Sequence, residues 1–417
     1  MERTYLCIDL KSFYASVECV DRNLNPMTTD LVVADESRGK GSICLAVSPS
    51  LKKKGVKNRC RLFEIPDKFN YIIAKPRMKK YIEYSANIYE IYLKYIAKED
   101  IHVYSVDEAF LDVTDYLNIY KMNGISLAKL ILKDILDTYG LVATAGVGTN
   151  LYLAKIAMDI IAKHSKNFIG YLDKNLYKEK LWKHRPLTDF WQIGRGIAKR
   201  LEKYQIYDME GIAKCNEKIL YREFGVNAEF LIDHSKGIEP CTIKDIKLYT
   251  PKSNSLSNSQ ILFKDYDFEK ARIILKEMVE NKCREMIEKN IVSDTIVLHI
   301  GYSKDIIKSS GGMYKMSRAT NVYSEMIKYF LYIMDKTTNI FTPIRKISIG
   351  FCNVRSNNYE QLSIFEDIYS LEKERKIESV VNDIKIHMGK NAVIRGMSLE
   401  EGATARLRNT LVGGHNG

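Results

Sequence analysis

No stretch of this chain comes near the roughly 18 consecutive apolar residues that a membrane-spanning helix needs, so no membrane span is expected. The N-terminus, MERTYLCIDLKSFYASVECV, is broken by charges and reads as a buried strand rather than a secretory signal. None of the eight cysteines (Cys7, Cys19, Cys44, Cys60, Cys215, Cys241, Cys283, Cys352) forms a Cys-x-x-Cys pair, and the seven histidines do not cluster with them. A zinc site is therefore not expected, and a disulfide framework does not suit so long a chain. Reduced thiols in a cytoplasmic protein are the expectation. The absence of any internal repeat argues against a repeat architecture.

The chain has 417 residues and a mass of 48.1 kDa. That is too much for one core, so roughly two to four domains are expected. Hydrophobic residues make up 46% and charged residues 28%, an ordinary globular balance. The net charge is +12. Residues 241–350 carry 18 Lys and Arg against 12 Asp and Glu, so +6, about half of the excess, lies in that segment. A basic balance placed this way suggests a polyanion partner.

Residues 5–8, YLCI, form a short apolar run that ends at Asp9, the pattern of a buried strand with an acid at its C-terminal end. A helix is expected over 11–20, strands over 31–34 and 43–47, and a long Tyr- and Ile-rich helix over 78–97. IHVYSVDEAFLDV reads as a hairpin, a second helix covers 126–138, and LVATAGVGTN is a strand entering a turn before a helix over 151–163. GVGTN lacks the Gly-Lys-Ser/Thr ending of a P-loop and is read as a strand-to-helix turn. Short charged helices are expected over 170–237 and a linker over 245–252. A second α+β unit follows, with helices over 267–289 and 320–336 and strands over 256–263, 293–302 and 344–352. The end, LVGGHNG, reads as frayed.

Asp107 and Glu108 sit side by side, with Val103 and Val106 before them and Ala109, Phe110, Leu111 and Val113 after. If their hairpin pairs beside the first strand, Asp9 joins them at one sheet edge. Three close carboxylates cannot all stay ionised unless cations neutralise them. Magnesium, a hard ion that takes carboxylate oxygens and shares substrate phosphates, suits such a site. Two such ions about 3.5–4 Å apart support phosphoryl transfer.

CIDLKSFYASVE (7–18), YSVDEAFLDVT (104–114) and GVGTNLYLAKIAMDIIAK (146–163) stand in that order. Together they resemble motifs of the Y-family translesion DNA polymerases. The likeness is greatest to the UmuC-like branch, the catalytic subunit of the bacterial DNA polymerase V type in its Gram-positive form. The resemblance implies an α+β multidomain chain with a right-hand polymerase layout: a ferredoxin-like palm (1–10 and 77–168), small fingers (11–76), a helical thumb (169–240) and an α+β little finger (248–353). A C-terminal tail (354–417) completes it. It implies that Asp9, Asp107 and Glu108 hold two Mg²⁺ ions, helped by the Leu10 carbonyl. Tyr14 would be the steric gate against a 2′-hydroxyl, with Phe13 lining the same pocket. Lys163 would contact the triphosphate. Lys155 has two readings, a functional one and a plain i,i+4 pair with Asp159. In the fingers, Pro49 and Lys52 stand where many relatives carry a Tyr and an Arg, so charge is kept and the bidentate fork is lost.

WQIGRGIAKRLEKYQI (191–206) resembles a helix-hairpin-helix, in which Gly194 and Gly196 let the backbone approach a DNA phosphate and Lys199 adds charge. Arg318 and Lys252 are expected at the duplex backbone. EQLSIFED (360–367) looks like a sliding-clamp-binding peptide, with Gln361, Leu362, Ile364 and Phe365 as its contacts. The implied partners are damaged primer-template DNA, a dNTP, the β sliding clamp of the replicase and accessory subunits of the SOS type. The expected activity is low-fidelity, template-directed translesion synthesis. The alternatives are a catalytically silent DNA-binding or clamp-recruiting scaffold and a nucleotidyl cyclase.

Overall fold

A computed structural model describes residues 3–251, 254–303, 307–358 and 368–416. The chain is an α+β multidomain protein that divides into a first unit ending at Tyr249 and a second from Thr250 to Asn416. No helix among the described residues is long and apolar enough to cross a membrane.

The first unit runs through β1 (Tyr5–Leu10), α1 (Phe13–Val20), β2 (Leu31–Val33), β3 (Ala46–Val47), α2 (Pro49–Lys53), β4 (Ile72–Ala74) and α3 (Met78–Tyr95). It continues with β5 (Ile101–Val103), β6 (Glu108–Asp112), α4 (Tyr116–Tyr120), α5 (Gly124–Tyr139), β7 (Ala143–Gly148), α6 (Leu151–Ile156) and β8 (Ile169–Leu172). Its main sheet has the order β5-β6-β1-β7-β8. β1 is central and antiparallel to both neighbours, with Asp9 facing Glu108 on one side and Thr144 on the other. Alternation along the strands sorts two faces. Leu6, Ile8, Ala109, Leu111, Ala145 and Val147 pack against α3 and α5. Tyr5, Cys7 and Phe110 pack against Leu151, Ala154, Met158 and Ile243. Asp9 and Glu108 belong to this second face.

α5 shows the local logic. Asn123 caps it by accepting from the Ser126 amide at 2.9 Å, and Gly140, at φ +64°, ends it in the left-handed region. Between these ends Leu127, Ile131 and Ile135 recur at helical spacing and are fully buried. Each such side chain contributes roughly 1.5–3 kcal/mol.

Residues 31–74 form a small separate layer, a sheet of order β3-β2-β4 over its own core of Val32, Val47, Leu51 and Leu62. Short helices α7 (Lys174–Leu181) to α12 (Ile243–Leu248) complete the unit, among them α8 (Arg195–Glu202).

The second unit contains β9 (Leu256–Tyr266), α13 (Phe268–Glu288), β10 (Ile291–Tyr302), β11 (Ser310–Thr320), α14 (Tyr323–Thr337) and β12 (Ile344–Cys352). Its sheet order is β11-β10-β12-β9, with α13 and α14 packed on one face.

Several expectations need correction. The helix expected over 151–163 is three pieces: α6, a π-turn at Ala157–Ile161 and a 3-10 turn at Ala162–His164. The strand expected over 43–47 is regular strand only at Ala46–Val47, with an isolated bridge from Ile43 to Arg61 before it. Half of the expected linker over 245–252 is the end of α12, held by a Thr242–Asp245 capping box. β11 was not expected. Residues 411–416 of the terminal LVGGHNG are not frayed: Leu411–Val412 pairs with His415–Asn416 around Gly413 and Gly414, both at positive φ. Gln361, Leu362, Ile364, Phe365 and Lys252 lie outside the described residues.

Candidate active site

A cleft of about 760 Å³ opens beside the C-terminal end of β1. The chain turns sharply there, with Ser12 in the left-handed region at φ +50°. Consequently Asp9, Leu10, Lys11, Phe13 and Tyr14 all line the cleft, and Asp107, Pro49, Lys52 and Lys163 line it from other elements. The Leu10 amide donates to the Asp107 carbonyl at 2.9 Å, which brings the hairpin turn beside β1. Ser105 Oγ donates to Asp107 Oδ1 at 2.6 Å and orients that carboxylate.

Glu108 is different. It is buried and is not part of the cleft lining. Lys155 Nζ lies 2.8 Å from its carboxylate, and Cys7 Sγ donates to Oε1 at 3.2 Å. Among the described residues, no three His, Cys, Asp or Glu side chains converge as a metal-ligand set. Asp9 and Asp107 face the cleft, while Glu108 answers Lys155.

Glycines explain how Lys155 arrives there. A Cβ on Gly146 would lie 2.0 Å from the Ala154 carbonyl oxygen, and one on Gly148 would lie 2.2 Å from the Ala154 amide nitrogen. A Cβ on Gly170 would lie 2.4 Å from the Ala157 carbonyl oxygen. The segment 151–164 therefore sits flush on β7 and β8. The glycines of GVGTN serve close approach, and Asn150 caps α6 by accepting from the Leu153 amide at 2.8 Å.

The seated segment lays down a row of alternating charges. Lys155 reaches Glu108 and, at 3.0 Å, Asp159 Oδ2; Asp159 Oδ1 accepts from Lys163 at 2.7 Å; Lys163 stands 4.0 Å from Asp9. Lys155 thus makes the i,i+4 pair with Asp159 and also pairs with Glu108, an acid of the motif. Burial pushes the Asp9 carboxyl up to about 6, with Lys163 opposing and Asp107 and Glu108 adding to the rise. Burial alone would lower Lys163, but Asp9 and Asp159 together raise it.

Tyr14 stacks on Tyr81, with centroids 4.4 Å apart and planes 16° apart. The fully buried Tyr81 donates its hydroxyl to Glu18 at 2.7 Å, and Arg77 holds Glu18 through two further bonds at 2.9 and 2.8 Å. Tyr14 therefore rests on a braced support. Lys52 donates to Ser12 at 2.9 Å. The sequence reading missed Lys11, Lys53, Asn58, Arg59 and His164, all of which line the cleft. The basic run LKKKGVKNR was the available signal. With Lys11, Lys52, Lys53, Arg59 and Lys163 against Asp9 and Asp107, the lining suits a polyanion.

Elsewhere in this unit Gly194, Gly196 and Lys199 are exposed at the start of α8, a Cβ on either glycine would meet open space, and no side chain caps that helix. In the second unit Arg318 pairs with Glu325 and is largely covered.

Residues 8–159 match the impB/mucB/samB family, and residues 253–364 match that family's C-terminal domain. The chain is 34% identical to the putative UV-damage repair protein UvrX of Bacillus subtilis, over 99% of this chain and 97% of that protein. It is 29% identical to DNA polymerase IV 2 of the same organism, over 99% of each chain. A solved Y-family DNA polymerase chimera of Dbh and Dpo4 shares the fold at a TM-score of 0.65 and 21% identity, covering 85% of this chain and 100% of the chimera. The chain belongs to the impB/mucB/samB family, the Y-family DNA polymerases.

Proposed function

We propose that this chain is a DNA-directed DNA polymerase that copies damaged templates with low fidelity in the cytoplasm, by nucleotidyl transfer assisted by two Mg²⁺ ions. The observation that carries the reading is the cleft: Asp9 and Asp107 meet the end of β1 under a lining rich in Lys and Arg. Hard carboxylate oxygens such as those of Asp9 and Asp107 fit Mg²⁺. Asp9, Asp107 and the Leu10 carbonyl would hold the ions, and Glu108 would join them by leaving Lys155. When bound, the ions lower the charge on the attacking and leaving oxygens.

The chain's own groups do the rest. Lys163 and Lys52 neutralise the triphosphate. Arg59 supplies the planar fork that Pro49 and Lys52 cannot. Tyr14, with Phe13 beside it, excludes a 2′-hydroxyl by the position of its ring. The primer 3′-hydroxyl attacks the α-phosphate and pyrophosphate leaves. Gly194, Gly196 and Lys199 grip a DNA phosphate through backbone amides and charge, blind to sequence, as an enzyme that translocates requires. The boundaries given above for palm, fingers, thumb, little finger and tail are part of this proposal.

Primer extension with Mg²⁺ tests it. Asp107→Ala is expected to lose at least about a thousandfold in kcat while wild type extends past a lesion. A wild type that binds primer-template yet never extends it would leave the scaffold reading standing. Gln361, Leu362, Ile364 and Phe365 are proposed to bind the sliding clamp. Loss of clamp-stimulated extension in Phe365→Ala is expected, and undiminished stimulation would remove that part.

A further inference from the structure

Asp159 belongs to none of the roles above, yet it stands at the centre of the charge row. Its carboxylate is shared: Oδ1 takes Lys163 at 2.7 Å and Oδ2 takes Lys155 at 3.0 Å. The π-turn at Ala157–Ile161 carries it, and such turns inside helices often mark functional positions. Lys163 is the more exposed member, with its side chain 38% exposed against 8% for Lys155. Lys163 has a second carboxylate within reach, Asp9 Oδ2 at 4.0 Å, one step short of a tight ion pair. Asp9 is the acid that the proposed chemistry needs open to a cation.

We infer that Asp159 is a positioning residue that holds Lys163 off Asp9, keeping the Asp9 carboxylate open for a divalent cation and the Lys163 ammonium available for the triphosphate. The physical reason is competition. Two unit charges about 4 Å apart at a partly buried site attract strongly. With its nearer partner removed, Lys163 closes on Asp9 and occupies the oxygen a cation would use. Asp159 also shares Lys155 with Glu108, at 3.0 and 2.8 Å. The inference rests on the proposed role of Asp9.

The test is Mn²⁺ binding to the full-length protein without nucleotide, read by the electron paramagnetic resonance of free Mn²⁺. Four proteins are compared: wild type, Asp159→Asn, Lys163→Gln and the double variant. Thermal melting verifies that each is folded, and Asp159→Glu serves as the conservative rescue. Asp159→Asn is expected to weaken Mn²⁺ binding about fivefold or more in the wild-type background and to have almost no effect once Lys163 is Gln. Asp159→Glu is expected to restore most of the affinity. A charge acting only through space would weaken binding equally in both backgrounds, and that result overturns the positioning role, as does an unchanged affinity in Asp159→Asn. A folded wild type that binds no Mn²⁺ in the cleft defeats the cation reading of Asp9, and this role falls with it.

Discussion

The two large sheets are built to opposite plans. In the first unit β6 and β7 are buried along their whole length, and β1 is buried except at Asp9. In the second unit β9 and β12 alternate between buried and open positions, because α13 and α14 cover one face only. Ser259 and Ser348, bonded to each other at 2.8 Å, lie on the open side with Lys346. A sheet packed on both faces removes water from any acid it carries, so that acid must meet a cation, a lysine or a proton. A sheet packed on one face leaves its polar residues to water or to a partner. The first plan suits chemistry at a fixed point, and the second suits a broad surface.

The largest effect separates the two plans by one methyl group. Gly146→Ala would place its Cβ 2.0 Å from the Ala154 oxygen and 2.3 Å from the Met158 nitrogen, both backbone atoms that cannot step aside. The first unit should lose about 3 kcal/mol or more in urea unfolding, with Lys155 displaced from Glu108. Gly350→Ala on the open sheet meets Val297 Cβ at 3.5 Å, an ordinary contact, and should change stability by less than about 1 kcal/mol. Equal costs at the two sites would erase the distinction.

Two acids of the first unit titrate with opposite signs. Burial alone would raise Glu18, but hydrogen bonds from Arg77, Arg22 and Tyr81 hold it below its ordinary value. Its contribution is present above the ordinary Glu range and is lost as pH falls through the lowered folded value. Arg77→Ala, which leaves Glu18 with fewer partners, should cost about 3 kcal/mol at pH 7 and less in acid. Asp9 is raised from 3.8 to about 6 by burial. Its contribution is present below about pH 4 and is lost as pH rises through about 6. Asp9→Asn should therefore stabilise the cation-free protein by up to about 2 kcal/mol at pH 7, an advantage that vanishes near pH 4. Chemical denaturation at several pH values measures both, and a flat profile for Asp9→Asn would show that the carboxylate is not strained by burial.

What the sequence disclosed, and what it hid, follows from range. The placement of Asp9, Asp107 and Glu108 beside one another was legible because each ends or begins an apolar run, and β1 and β6 pair as their patterns require. The Glu108–Lys155 contact was not legible, since it depends on register and on glycines whose partners lie on another element. The break in the helix after Ile156 was hidden because LYLAKIAMDIIAK (151–163) is apolar nearly throughout, so no spacing marks the π-turn. β11 escaped because SGGMYKMSRAT buries little beyond Met316 and Thr320, so no alternation marks it. The terminal hairpin is readable from Gly413-Gly414, a turn signal between two short strands.

The smallest effect concerns the C-terminal segment, whose physics the sequence did not show. The structure ties that segment to the helical layer of the second unit. The Thr404 amide donates to Glu277 Oε2 at 2.9 Å, the Thr404 hydroxyl donates to the same oxygen at 3.2 Å, and Gln260 Nε2 donates to that hydroxyl at 3.1 Å. All three residues are buried. Thr404→Val keeps the shape and the amide bond but removes the hydroxyl, leaving Gln260 with one donor unanswered and Glu277 with one bond fewer. The expected cost is about 1–2 kcal/mol, confined to the second unit, because the residues concerned are all within it. Native-state hydrogen exchange can localise the loss. Faster opening should appear in α13 and β9 while β1, β6 and β7 keep their protection. Faster opening of the first sheet as well would mean that the two plans share one cooperative structure rather than standing as separate units.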